Sequence, residues 1–160
     1  MEMINNKALN TNNDINLIKV LKDINVSAFL DSWGPLEVIQ VYDPNINMQG
    51  ILVIDNTVLG PGCGGIRISP TITPRLVFEQ ARKMTLTCAL VDLNFGGAAA
   101  GIRANHFEIN KKEFIRSFAK RVSPYVPGQY IARPDINITQ EEMAVFSEEV
   151  GERRGATGKP

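Results

Sequence analysis

The sequence predicts an α/β domain, a mixed sheet flanked by helices, and three observations carry that prediction. Two apolar, β-branched stretches come first, separated by turn residues, which reads as antiparallel pairing. Helical and strand-like segments then alternate, the order that gives parallel strands joined by crossover helices. The chain has 160 residues, the length of a single domain able to bury a core, and shows no internal repeat.

The elements follow in order. Residues 1–13 are polar and Asn-rich and are predicted as a flexible N-terminal arm. Asp14 caps a predicted helix that carries Leu17, Leu21 and Ile24 at helical spacing and fades before Trp33-Gly34-Pro35. Leu36 to Tyr42 and Gly50 to Asp55 flank Asp43-Pro44-Asn45 and read as a β-hairpin. From Leu59 to Ala104 the pattern is strand, helix, strand, bracketed by two glycine-rich turns. Its helix starts at Thr73-Pro74, a capping residue before a first-turn proline, and places Val77, Ala81, Met84, Cys88 and Val91 on one buried stripe.

Cys88 on that stripe is a small buried hydrophobe. Thr87 lies on an adjacent stripe with Gln80 and Lys83, at the edge of any cleft beside the helix. Phe114, Phe118 and Val122 define another amphipathic helix. A last one runs from Thr139 to Val150 with a Thr139/Glu142 capping box and buries Met143, Phe146 and Val150. The folded body is thus predicted over residues 14–151. Residues 152–160, turn-rich, are expected to begin a linker to a second domain absent from this chain.

Seventeen basic and seventeen acidic residues cancel, and no basic run or aromatic-interleaved patch forms, so nucleic acid is not an expected partner. Apolar runs such as Ile51 to Ile54 fall far short of the roughly 20 residues of a membrane span. Cys63 and Cys88 are too few for a disulfide framework, and no leader pattern opens the chain. A soluble, cytoplasmic protein is the expectation.

Neither Gly60-Pro-Gly-Cys-Gly-Gly65 nor Gly96-Gly-Ala-Ala-Ala-Gly101 ends in the lysine of a phosphate-binding loop. A Gly-x-Gly-x-x-Gly with a ribose-binding acid about 20 residues later is also missing, so no cofactor-binding residue is assigned in this chain. The glycine clusters serve either tight turning and close backbone approach or the lining of a cleft. His106, the one histidine, has no neighbours at metal-ligand spacing, and no metal site is predicted. Ser69, Ser117 and Ser123 occupy no nucleophile elbow. The pairs Glu141-Glu142 and Glu148-Glu149 read as a solvated helix face.

Three motifs together carry a more specific signal: Gly60-Pro-Gly-Cys-Gly-Gly-Ile-Arg67, Met84-Thr-Leu-Thr87 and Gly96-Gly-Ala-Ala99. They resemble the patterns GPxKGGxR, MTxK and GGxK of the Glu/Leu/Phe/Val dehydrogenase family, with Cys63, Thr87 and Ala99 at the three lysine positions. Leu36 to Pro44 and Leu52 to Pro61 resemble the opening sheet of the leucine-dehydrogenase-like branch. Phe95-Gly-Gly-Ala98 with Ala100-Gly-Ile102 resembles the turn that carries the catalytic lysine. Tyr130-Ile-Ala-Arg-Pro-Asp-Ile-Asn137 resembles the strand end that holds a catalytic aspartate, at Asp135. Thr157-Gly-Lys-Pro160 is similar to the passage into the NAD(P)-binding domain.

The resemblance, from about Gly34 onward, implies the N-terminal substrate and dimerisation domain of an NAD- or NADP-dependent amino-acid dehydrogenase. It implies a homo-oligomer and a catalytic role for Asp135. It implies a substrate site at Cys63, Gly64, Gly65 and Thr87. In such enzymes one lysine holds the substrate α-carboxylate and another activates water, while the aspartate shuttles a proton. Thr87 has a hydroxyl but no charge and Ala99 has neither, so the expectation is impaired catalysis. At Cys63 the family lysine grips a side-chain carboxylate, so its loss favours an aliphatic amino acid or 2-oxo acid. The alternative is a non-catalytic relative that assembles or senses an amino acid.

Overall fold

The computed structural model describes residues 30–158. The predicted arm over 1–13 and the predicted helix from Asp14 lie outside them. The described residues form five strands and three α-helices: β1 (Glu37–Asp43), β2 (Met48–Asn56), β3 (Gly62–Ile68), α1 (Pro74–Leu90), β4 (Gly96–Ile102), α2 (Lys111–Val122), β5 (Tyr130–Pro134) and α3 (Gln140–Val150). The strands make one mixed sheet in the order β1-β2-β4-β3-β5. The predicted hairpin is β1 and β2, in register from Glu37 opposite Ile54 to Asp43 opposite Met48. β2 also pairs antiparallel with β4, while β3 runs parallel to both β4 and β5.

Local sequence explains the helix starts. Thr73 Oγ1 accepts the Leu76 amide ahead of Pro74. Asn110 Oδ1 accepts the Glu113 amide to open α2. Thr139 and Glu142 form the predicted capping box of α3, which ends on Gly151 in the left-handed region at φ 74°.

The helices lie on opposite faces of the sheet. α1 covers Ile51, Val53 and Ala99 with Val77 and Ala81, joined by Ile72. α2 and α3 bury Phe118, Val122, Met143 and Phe146 against Leu52, Ile54, Ile66, Ile68 and Ile102. Alternation along β4 divides its residues, Ala98, Ala100 and Ile102 facing α2 and α3 and Ala99 facing α1.

Two expectations change. The glycine-rich segments, including the one predicted to be the turn carrying position 99, are strands β3 and β4 rather than turns. Glycine here serves close packing: a methyl at Gly97 would overlap the Thr85 amide and hydroxyl on α1, and one at Gly64 would overlap the Ala98 carbonyl. The buried stripe of α1 holds at Val77, Ala81 and Cys88, but Val91 is 56% exposed because the helix ends at Leu90. After α3, a short 3-10 turn at Arg153–Gly155 brings the predicted linker segment back to the sheet, where the Thr157 amide donates to the Ala132 carbonyl. No helix among the described residues is long and apolar enough to cross a membrane.

Candidate functional site

Among the described residues, the α1 side of the sheet is unevenly covered. α1 packs on β2 and β4, and the small residues Gly97, Ala99 and Gly101 let it sit close: a methyl at Gly101 would stand 2.8 Å from Ile72 and 3.0 Å from Val77. β3 and β5 extend beyond the helix. Their register sets Cys63 beside Ile131 and Gly65 beside Arg133. Since Tyr130, Ala132, Ile66 and Ile68 belong to the α2/α3 core, the intervening Cys63, Gly65, Arg67, Ile131 and Arg133 point to the α1 side. Asp135 follows directly after β5 and folds over Gly65: a Cβ at Gly65 would lie 2.6 Å from the Asp135 Cβ.

Asp135 is half-buried and, among the described residues, its carboxylate is held by Arg67. Arg67 Nε donates to its Oδ2 at 2.9 Å and Arg67 Nη2 to the same oxygen at 2.5 Å. Arg67 closes the Gly64-Gly65-Ile66-Arg67 motif, so the motif delivers a cation to the aspartate across 68 residues of sequence. The Ile138 amide donates to the Asp135 carbonyl, and Asn137 Nδ2 donates to the Ile68 carbonyl at 2.8 Å, which pins the following loop to the end of β3.

Cys63 and Cys88 are free thiols, both buried. Burial pushes the Cys63 thiol up, opposed by the adjacent Arg133 guanidinium and reinforced by Cys88. Cys88 is raised by burial as well. Behind the same strand, the Tyr130 hydroxyl donates to the Gly64 carbonyl at 3.2 Å, and complete burial raises its phenol well above the ordinary range.

Of the residues predicted for the site, Cys63, Gly65 and Asp135 share this face of the β3–β5 seam. Gly64 is in the same strand but faces the other way, toward the Ala98 carbonyl and Tyr130. Ala99, 4% exposed, is enclosed by α1 and the residues of β2. Thr87 is exposed on α1, one residue before the buried Cys88.

Sequence reasoning missed two features. One is the pairing of Arg67 with Asp135. The other is a buried ionic network that anchors α1: Arg82 Nε donates to Asp55 Oδ2 at 2.8 Å while its Nη1 and Nη2 reach Asp31. Thr85 Oγ1 donates to the same Asp55 oxygen at 2.6 Å. Hydrogen bonds from Arg82 hold the Asp31 carboxyl at about 2. Asp55 Oδ1, buried against Gly34, finds no hydrogen-bond partner among the described residues. Glu142, read as part of a solvated face, is also buried, paired with Lys111 Nζ at 3.0 Å and accepting from the Thr139 amide and hydroxyl. No group of His, Cys, Asp and Glu among the described residues is arranged to hold a metal ion.

Comparison with known proteins adds the family. The model of the Glu/Leu/Phe/Val dehydrogenase dimerisation domain matches residues 35–152. An L-tryptophan dehydrogenase of Nostoc punctiforme is 28% identical over 130 residues, which are 79% of this chain and 36% of that enzyme. The NAD-specific glutamate dehydrogenase A of Halobacterium salinarum is 33% identical over 115 residues, covering 66% of this chain and 26% of its own length. Among solved structures, the hetero-hexameric glutamate dehydrogenase of Thermus thermophilus in its Leu-bound form superposes with a TM-score of 0.72 at 26% identity, over 92% of this chain and 41% of that one. The chain therefore spans about a third of the length of the curated relatives it matches.

Proposed function

The chain belongs to the Glu/Leu/Phe/Val dehydrogenase family, as its N-terminal dimerisation domain, and from that premise we propose that the open face of the β3–β5 seam is an amino-acid or 2-oxo-acid cleft with reduced catalytic power. The observation that carries this reading is the meeting of Gly65 with the Arg67-held carboxylate of Asp135, on the part of the sheet that α1 leaves uncovered among the described residues. Asp135 is the acid/base group in this reading, and Arg67 fixes which of its oxygens faces the cleft.

What is missing sets the expected activity. If positions 63, 87 and 99 are the family's lysine positions, no amine is left to hold the ligand α-carboxylate or to activate water. The Thr87 hydroxyl makes a neutral hydrogen bond about half as strong as a charge-assisted one. Ala99 offers a methyl enclosed between α1 and β2. Cys63, taken by itself, favours an aliphatic side chain. Groups that act together in a transition state are not replaced by the one that remains, so Asp135 alone supports little turnover. The burial of Ala99 also favours the second reading, a relative that assembles or senses an amino acid without chemistry.

In relatives of this family a nicotinamide cofactor takes up or gives the hydride. The glycines here do not fit such a group: those of β3 and β4 lie inside strands, packed against Thr85, Ala98 and Asp135, instead of opening a helix N-terminus toward a pyrophosphate. Calorimetry of the chain tests the reading. Titration with NAD and NADP is expected to give no saturable micromolar isotherm, while a 2-oxo acid gives a weak saturable one. Micromolar binding of either cofactor would contradict the assignment.

A further inference from the structure

The chain has two cysteines, and the fold brings them to one corner of the sheet. α1 runs antiparallel to β4: Val77 lies over Gly101, and Ala81 and Thr85 lie over Gly97. Cys88 comes one turn after Thr85, about 4.5 Å further along the helix, which carries it past Gly97 toward Gly96. In the parallel pair of β3 and β4, Gly62 sits beside Gly96 and Cys63 beside Gly97. Cys63 points to the α1 side, and among residues 86–90 of α1 only Cys88 is buried. Gly62, Gly96 and Gly97 put no side chain into that corner. The two thiols lie close enough that charge on Cys88 opposes ionisation of Cys63, and the Arg133 guanidinium acts on both.

We propose that Cys63 and Cys88 form a modification site, at which an oxidant of the peroxide class joins them in a disulfide that straps the last turn of α1 to β3. This stands apart from the cleft reading above. A disulfide requires Cα atoms about 4.4–6.8 Å apart. Gly97, whose missing Cβ lets α1 close onto the sheet, provides the approach. The last turn of α1 buries little apolar surface, with Leu86 52% and Leu90 86% exposed, so its opening is a local event that admits a molecule the size of water. Burial raises both thiols and keeps them protonated in the closed form, so reaction is confined to the open turn. There the Cys63 thiolate, formed beside Arg133, attacks one peroxide oxygen; the O–O bond breaks, and the other oxygen leaves as hydroxide and takes up the proton the thiol lost. The Cys88 sulfur then displaces the hydroxyl of the resulting sulfenic acid, its own proton completing a second water. Two thiols and one peroxide thus give one disulfide and two waters, the sulfurs losing the two electrons that the peroxide gains.

The test is treatment of the native chain with hydrogen peroxide, followed by intact-mass measurement, non-reducing electrophoresis, thiol titration under denaturing conditions and urea unfolding. With two cysteines in the chain, no third thiol confuses the count. The expected product is a single chain about 2 Da lighter with no free thiol, whose tryptic digest joins the Cys63 and Cys88 peptides and which dithiothreitol returns to the starting mass. Its urea midpoint is raised, because the closed loop restricts the unfolded chain. Cys63→Ala and Cys88→Ala each abolish the lighter product and the raised midpoint, and the mass and peptide readout on wild type decides whether or not these variants fold. The proposal is overturned if the main product is a disulfide-linked dimer, or a chain about 16 or 32 Da heavier with the second thiol still free. It is overturned as well if both thiols survive the treatment, if the disulfide forms without raising the midpoint, or if the midpoint rises equally in the single variants.

Discussion

Gly65 of β3 lies directly against Asp135 beyond β5: a Cβ at position 65 would stand 2.6 Å from the Asp135 Cβ and 3.1 Å from the Oδ2 that Arg67 holds. The contact joins two sequence motifs 70 residues apart, and it explains glycine at this position on grounds of space, since its φ is not in the left-handed region.

Gly65→Ala is therefore expected to push Asp135 off Arg67. Overpacking of this kind costs about 1–3 kcal/mol. A urea unfolding curve should show the lower midpoint, and a crystal structure of the variant should show the Arg67–Asp135 distance lengthened. An unchanged midpoint with the ion pair intact would refute the packing argument.

Among the described residues, Arg82 is the one cation paired with the buried Asp55 carboxylate. Arg82→Met leaves that charge unpaired and should cost about 3 kcal/mol or more. Asp31→Ala removes only the exposed partner and should cost far less. Adding Asp55→Asn to Arg82→Met should recover part of the loss, because the uncompensated charge is then gone. Equal losses in the two single variants, measured by urea denaturation, would contradict this division.

Glu142 contributes an acid-sensitive term to stability. Burial alone would raise its carboxyl, but hydrogen bonds from Thr139 and Lys111 outweigh burial and leave it below its ordinary value of 4.5. A carboxyl lowered in the folded state stabilises fully above the unfolded value and loses that contribution as pH falls through the folded one. Thermal unfolding between pH 6 and 3 should thus fall more steeply for wild type than for Glu142→Gln. Parallel curves would show that the network does not couple to folding.

Self-association is the expected outcome for a chain that matches a dimerisation-domain family. β1 is an edge strand of the described sheet, with only β2 beside it, and edges of this kind seek cover. Sedimentation velocity at several concentrations should show a dimer or larger species that grows with concentration. A strictly monomeric boundary at high concentration would count against it.

The parts of the fold written in local chemistry were legible in the sequence. Thr73-Pro74, the Thr139/Glu142 box and the hairpin around Asp43-Pro44-Asn45 each depend on residues a few positions apart, and each forms as predicted. In sequence, Gly60 to Gly65 and Gly96 to Gly101 read as turns, because composition does not distinguish a turn from a strand pressed under a helix. That distinction comes from Thr85 and Ala98, which approach only in the folded sheet. Arg67 and Asp135, or Arg82 and Asp55, are separated by too many residues for spacing to connect them. Glu142 looked solvated because its neighbours Glu141 and Glu148 are, and only the approach of Lys111 from α2 reveals its burial.

In the proposed reading, positions 87 and 99 lack the amines that the chemistry needs while Asp135 keeps its place beside Gly65. The direct measurement is NAD(P)H oxidation with a 2-oxo acid and ammonia, in this domain extended through a cofactor domain, comparing the unmodified protein with Thr87→Lys/Ala99→Lys and each single change. Ala99 is buried under α1, so folding of each variant is verified by its unfolding midpoint. The account predicts little or no turnover for the unmodified protein, a gain of roughly 10²–10⁴-fold for the double variant, and much smaller gains for either change alone. Turnover by the unmodified protein at ordinary enzymatic rates, about 1–10³ per second, would contradict it.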